Sequence, residues 1–237
     1  MNIEHHRITG TGTVADDRAH AIRDHLRDAI VDRRLAPGAK LSESEVGALF
    51  SVSRTVARAA LQMLAFEGLV RTERNRGAFV ANPSPEEARQ LFASRRLIEP
   101  AIALEACARI TPSDIKGFRT QLASEAHFIA ARGPEARRAE IKASGEFHLV
   151  LASVAGNAIL QRFMEELIAR SSLVIALYGR SGASSCGHDE HGRIVDALEA
   201  RDAPLAQQLL LHHIDHIEAD LDLRTRNSPA LRDALEL

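Results

Sequence analysis

Apolar positions recur at helical spacing along most of this chain, and the breaks between those runs divide it into two parts. The first amphipathic run starts near Thr13, read as its N-cap, and carries Ile22, Leu26 and Ile30 in phase. Pro37 removes a backbone donor and Gly38 relaxes the turn, so the run stops there. Ser42-Glu43-Ser44-Glu45 has the form of a capping box and opens a short second helix to about Phe50. Ser53 caps a third helix, with Val56, Ala60, Leu61 and Leu64 on its apolar side, and Gly68 ends it. Leu69 to Thr72 and Ala78 to Val80 read as two strands joined by Glu73 to Gly77. Three helices and a hairpin predict a winged helix-turn-helix over residues 13–82, preceded by a loose tail at 1–12.

Asn82-Pro83-Ser84-Pro85 marks the domain boundary, with residues 83–86 as linker. Ser84 also caps the next helix, with proline at the first helical position and glutamate at the third. Residues 87–226 read as helical throughout, broken at Thr111-Pro112, Gly133-Pro134, Gly156-Asn157, Gly179 to Gly187 and Asp202-Ala203-Pro204. These breaks predict roughly six helices in an all-α bundle, then a C-terminal tail at 227–237. The fold class is mainly α: an N-terminal winged helix-turn-helix and a C-terminal helical bundle.

Composition narrows the class of protein. The chain has 237 residues, enough for one large or two ordinary domains, and 45% hydrophobic content is ample for a core. No stretch is apolar enough to span a membrane, and the N-terminus lacks a secretory layout. Cys107 and Cys186 lie far apart and form no CxxC pair, which favours a reducing, cytoplasmic setting. The total of 30 basic and 32 acidic residues, net −2, does not mark the whole chain as a nucleic-acid binder. The local balance does: Ser51 to Val80 holds five arginines against two glutamates. Arg54 and Arg58 lie four residues apart on the third helix, with Thr55 beside them and the apolar side opposite. A short cationic face that donates hydrogen bonds, on a helix docked by its other side, suits a DNA major groove.

These residues bring the chain close to a known family. Residues 19–80 resemble the DNA-binding domain of GntR transcription regulators in Ala36-Pro37-Gly38, Leu41-Ser42-Glu43, Val52-Ser53-Arg54-Thr55, Arg58, Ala60-Leu61, Leu64, Glu67-Gly68-Leu69-Val70 and Gly77-Ala78-Phe79-Val80. The remainder is similar to the FadR-type (FCD) effector domain. Its marks are Arg95 to Glu99, Phe147-His148, Gly156-Asn157, Glu190-His191 with Ile194 and Ala197-Leu198, and His213-Ile214. Two departures stand out. Many relatives carry an arginine at Ser44 that helps to contact DNA, and a proline at Val56.

The resemblance implies a DNA site of Ser53, Arg54, Thr55, Arg58, Arg76 and Gly77. The recognition-helix arginines would reach base edges or phosphates, Thr55 would bind phosphate, and Arg76 and Gly77 at the wing tip would approach the minor groove or backbone. Symmetry suggests a homodimer on a pseudo-palindromic double-stranded operator.

The second half holds seven histidines: His127, His148, His188, His191, His212, His213 and His216. Helical phase points His148 and His191 inward. His213 is in phase with Leu210, Ile217 and Leu221, and His212 with Leu205, Leu209 and His216, so periodicity does not choose between them. The resemblance chooses His213 and implies a metal site of His148, His191 and His213. Because imidazole dominates, zinc or nickel suits it better than magnesium. Metal-binding relatives add an aspartate one turn before the first histidine; here that position is Ser144, and Glu146 is displaced around the helix. The resemblance also places Arg95 facing a pocket, where it could pair with a small carboxylate effector. Asn157 either lines that pocket or caps a turn. The function implied is a ligand-responsive regulator, a repressor in the commoner arrangement. The alternative is a metal-dependent enzyme on the three histidines. Against it, no inward carboxylate stands out as a general base and no GxSxG motif occurs.

Overall fold

The computed structural model describes residues 14–131, 133–180 and 186–224, in two compact units divided between Asn82 and Pro83. Thr13, the tails at 1–12 and 227–237, and residues 181–185 of the Gly179 to Gly187 break lie outside the described residues.

The first unit runs α1 (Val14–Val31), β1 (Lys40–Leu41), α2 (Glu43–Leu49), α3 (Arg54–Phe66), β2 (Val70–Glu73) and β3 (Gly77–Val80). Ile22, Leu26 and Ile30 are buried, as their phase predicts, and α1 packs on α3, where Ala57, Ala60, Leu61 and Leu64 are buried too. Each such leucine or isoleucine contributes roughly 1.5–3 kcal/mol by leaving water. Arg23 and Arg27 on α1 both bond Glu67 just after α3, so this acid locks two helices together. Ser42 and Ser53 cap α2 and α3 through their hydroxyls. Gly68, with φ of 72°, turns the chain from α3 into β2.

Strand β1 is absent from the sequence reading. Its two residues carry no period, yet Lys40 pairs with Phe79 and Leu41 with Ala78, making a three-stranded sheet of order β1-β3-β2.

The second unit consists, among the described residues, of α4 (Pro85–Arg109), α5 (Pro112–Ala131), α6 (Pro134–Val154), α7 (Ala158–Tyr178), α8 (Cys186–Glu199) and α9 (Ala203–Ala219). Ser84 and Glu87 form a complete capping box, and Pro85 is already helical, so α4 takes in half of the stretch read as linker. Helix α4 packs chiefly on α9, and α6 lies against both α5 and α7. The core includes Phe92, Phe118, Phe147, Leu151, Ile194 and Leu210. The helical reading to residue 226 overshoots. Helix α9 ends at Ala219, and the chain then pairs with the end of α7, Asp222 N donating to Tyr178 O at 2.8 Å. No helix of the described residues is long and apolar enough to cross a membrane.

Candidate functional site

Two sites carry chemistry, one in each unit. In the first, the start of α2, the outer face of α3 and the hairpin enclose a concave surface. Arg54, Arg58, Arg76 and Gly77 all line it, because i and i+4 on α3 share a face and the hairpin folds back beside that face. Ser53 and Thr55 do not. The Ser53 hydroxyl accepts from Val56 N at 3.3 Å, which makes it a cap, and Thr55 is exposed on the first turn of α3. Lys40, Gln62, Thr72 and Asn75 join the surface without having been singled out. Gln62 was legible, one turn beyond Arg58; Lys40 depends on the unforeseen β1.

The cations here do not stand alone. Arg58 donates from Nε to Glu43 Oε1 at 2.7 Å and from Nη2 to Glu43 Oε2 at 2.8 Å. The Arg58 hydrogen bond, followed by the charges of Arg58 and Arg54, holds the Glu43 carboxyl below the usual carboxylate range. At the wing, Glu73 takes Arg71 Nη2 at 2.8 Å and also Arg76 Nη1, while the Arg76 guanidinium lies 5.5 Å from the Phe79 ring centre. The surface thus mixes four cations with two carboxylates. Ser44 keeps its hydroxyl 2.7 Å from that of Ser42.

The second site lies inside the helical unit. Helix α6 supplies His148, α8 His191 and α9 His213, all buried, and a ligand nitrogen from each lies within 4.8 Å of the others. His212 is exposed, so burial makes the choice between neighbours that periodicity left open. Three carboxylates back the three rings. His191 Nδ1 lies 3.1 Å from Glu125 Oε2 and His213 Nδ1 2.8 Å from Glu190 Oε2, both hydrogen-bonded. His148 Nδ1 is 2.7 Å from Glu99 Oε2 but out of line for a hydrogen bond. A carboxylate only accepts, so Nδ1 carries the proton on His191 and His213 and Nε2 keeps its lone pair.

Those two Nε2 atoms face each other at 3.0 Å. Two lone pairs at that separation repel, and a shared cation turns the repulsion into coordination. Burial favours the neutral form that a ligand needs at two of the rings, lowering His148 to about 4 and His213 well below its usual value. Burial also pushes the acids up, but their partners win. Hydrogen bonds from His213 and His216 bring Glu190 to about 2, Arg95 and His148 hold Glu99 well below its usual range, and His191 lowers Glu125. These three buried histidines could hold a metal ion, and their donor set suits a first-row transition ion.

Arg95 changes the expected picture. It is buried on α4 and lines the cavity beside the histidines, but it is not held ready for an outside anion alone. Its Nε pairs with Glu99, and its Nη2 donates to His148 Nε2 at 3.2 Å. The guanidinium therefore occupies the lone pair that the third metal ligand would use.

The cavity measures about 80 Å³, room for several waters or a small organic acid. Besides Arg95, His148 and His213, it is lined by Ser144, Ser171, Ser172 and Arg137. Ser144 does face it, one turn before His148, so the position of the missing aspartate offers a hydroxyl in place of an anion. Glu146 is exposed. Asn157 does not line the cavity. Its Oδ1 accepts from Ile159 N and Leu160 N at 3.1 and 3.2 Å, so it caps α7.

The buried carboxylates are the larger miss. In the sequence no inward carboxylate stands out as a general base, yet Glu99, Glu125 and Glu190 are all buried. Glu125 had a usable signal, since it continues the buried stripe of Phe118 and Leu122 at helical spacing. Glu99 pairs with Arg95 at i, i+4, which reads as a solvated helix face until α6 and α9 are seen to cover it.

Comparison with known proteins matches both units. The family model described as Bacterial regulatory proteins, gntR family, matches residues 18–80, and that described as FCD domain matches residues 90–216. The HTH-type transcriptional regulator BphR of Paraburkholderia xenovorans is 30% identical, over 80% of this chain and 79% of its own. The HTH-type transcriptional repressor RspR of Escherichia coli is 28% identical over 86% of this chain and 89% of its own. A solved GntR regulator from Rhodococcus sp. RHA1 aligns with a TM-score of 0.73 at 30% identity, covering 86% of this chain and 96% of that one.

Proposed function

Starting from a chain that belongs to the gntR family of bacterial regulatory proteins, in its FCD-domain form, and is a DNA-binding transcription regulator, we propose a homodimeric repressor. In this reading a small carboxylate, together with a divalent transition metal, bound in the helical unit alters its affinity for a pseudo-palindromic operator. The observation that carries it is the pair of imidazole nitrogens facing each other at 3.0 Å beside a cavity that holds Arg95.

His191 and His213 would hold the metal through Nε2, with His148 completing the set when Arg95 moves off its nitrogen. Zinc or nickel fits three neutral imidazoles; the ion would supply a positive anchor for a carboxylate. Arg95 keeps N–H groups beyond those given to Glu99 and His148, and would take the other end of the same anion. Ser144 would give the site one anionic ligand fewer than the resemblance implies for metal-binding relatives, leaving the ion more positive towards the effector. The ligand can shift operator affinity only by binding one arrangement of the dimer better than another. The repressor reading accords with RspR being named a transcriptional repressor.

The rival reading, a metal-dependent enzyme, needs a carboxylate at liberty to move a proton. Glu99, Glu125 and Glu190 each already contact an imidazole Nδ1. The test is a thermal-shift screen of untagged protein with zinc, nickel and small carboxylates, followed by gel shifts on operator DNA with each hit. A metal or acid that raises the melting temperature and releases the operator is expected. Stabilising ligands that never change operator affinity would remove the regulatory role assigned to this cavity.

A further inference from the structure

The Glu43–Arg58 contact looks at first like self-neutralisation of a DNA-binding surface. Its geometry says otherwise. A guanidinium has five N–H donors and two usable edges. Glu43 takes the side edge, Nε and one hydrogen of Nη2, at 2.7 and 2.8 Å. The end edge, formed by Nη1 and the second hydrogen of Nη2, is left for a partner. That end edge is a bidentate fork, and in a major groove its match is the O6 and N7 pair of guanine.

The other arginines on the same surface are arranged differently. Arg76 gives Nη1 to Glu73, so its end edge is already engaged. Arg54 is exposed and has no hydrogen bond or ion pair among the described residues, so its long side chain can follow a phosphate. Arg58 alone of the three combines a fixed side edge with an open end edge. The carboxylate does two things at once. It removes rotamer freedom that arginine would otherwise lose on binding. It also sets a negative charge where a phosphate would have to approach, steering the guanidinium from backbone to base.

We propose that Glu43 is a specificity-determining residue of this regulator, holding the Arg58 guanidinium side-on so that its end edge reads one guanine of the operator. This rests on the α3 face being the operator surface, as the family membership implies. Without Glu43, Arg58 remains a cation on that face but becomes a general one.

The experiment is binding-site selection by the full-length protein from a random-sequence DNA duplex library, using wild type, Arg58→Ala and Glu43→Gln. Melting temperatures establish that both variants are folded. The wild type is expected to enrich a G·C pair at a position where Arg58→Ala shows no preference. Glu43→Gln should lose about tenfold of the discrimination at that same position. It should bind unrelated duplex as well as or better than wild type, with a steeper salt dependence, because the released arginine joins a phosphate. Glu43→Gln keeping the G·C preference overturns the proposal, and so does a uniform loss of affinity across all sequences. A wild type that enriches no sequence overturns the operator-surface reading and the proposal with it.

Discussion

The molecule pairs arginine with glutamate in two settings that differ mainly in their access to water. Arg58 and Glu43 lie on an open surface, their side chains 59% and 36% exposed. Arg95 and Glu99 lie inside the helical unit at 2% and 1%. In water such a pair adds little to folding stability, because solvent competes for both partners, but its bidentate geometry still sets how the guanidinium is turned. Inside the bundle neither partner can be removed without stranding a charge. The same two residue types therefore serve orientation in the first unit and integrity in the second. The surface pair leaves the end edge of Arg58 open while its side edge stays on Glu43, whereas the buried pair anchors Arg95 in the wall of the cavity in the helical unit.

The largest expected effect separates the two pairs on stability. Glu99→Ala leaves the Arg95 charge buried and unpaired and should destabilise the helical unit by about 3–5 kcal/mol in a urea titration followed by circular dichroism. Arg58→Ala in the same assay should leave the midpoint where it was while removing the G·C preference at one operator position in gel shifts. Equal destabilisation by both would erase the distinction.

Next in size is the metal. Zinc or nickel at a hundred times its Kd should stabilise the protein by about 2.7 kcal/mol, read as a higher melting temperature. His213→Ala should cancel that gain without changing operator affinity in metal-free buffer. An undiminished gain in the variant would place the metal elsewhere.

A smaller effect tests a residue reassigned by the structure. Asn157→Ala should cost about 1 kcal/mol through loss of the α7 cap and leave ligand-induced melting shifts intact. A normal stability with an abolished ligand response would return Asn157 to the pocket.

The smallest change returns to the exposed side. Ser44→Arg should leave the melting temperature alone and strengthen binding to all duplexes alike, adding about 0.9 to the magnitude of the salt slope in fluorescence anisotropy. A gain confined to one sequence would show the new arginine reading bases.

Most of the fold could be read in the sequence because its signals are local. Ser53 and Ser84 announce their helices through hydroxyl caps, and Ile22, Leu26 and Ile30 declare a buried face by spacing. The two-residue β1 could not be seen, since its existence depends on β3 lying beside it. The sites divide in the same way. Inward phase found His148 and His191, but adjacent histidines on one helix defeat periodicity, and tertiary burial was needed to separate His213 from His212. Glu99 escaped because an acid one turn from an arginine resembles a solvated pair. Whether Arg95 and Glu99 are wet depends on α6 and α9, tens of residues away. Glu43 was among the residues that carry the resemblance, yet nothing in its neighbourhood along the chain shows that Arg58, fifteen positions on, reaches back to it.

Strand β1 has a thermodynamic meaning beyond completing a sheet. It ends at Leu41, immediately before the Ser42 cap and Glu43, and pairs with the strand after the wing tip. The hairpin and the start of α2 are thereby joined by backbone hydrogen bonds before any partner arrives. A wing tethered only at its base would surrender its conformational entropy during association. Here that entropy is already lost in the folding of the free head, so more of each contact made with DNA appears as affinity.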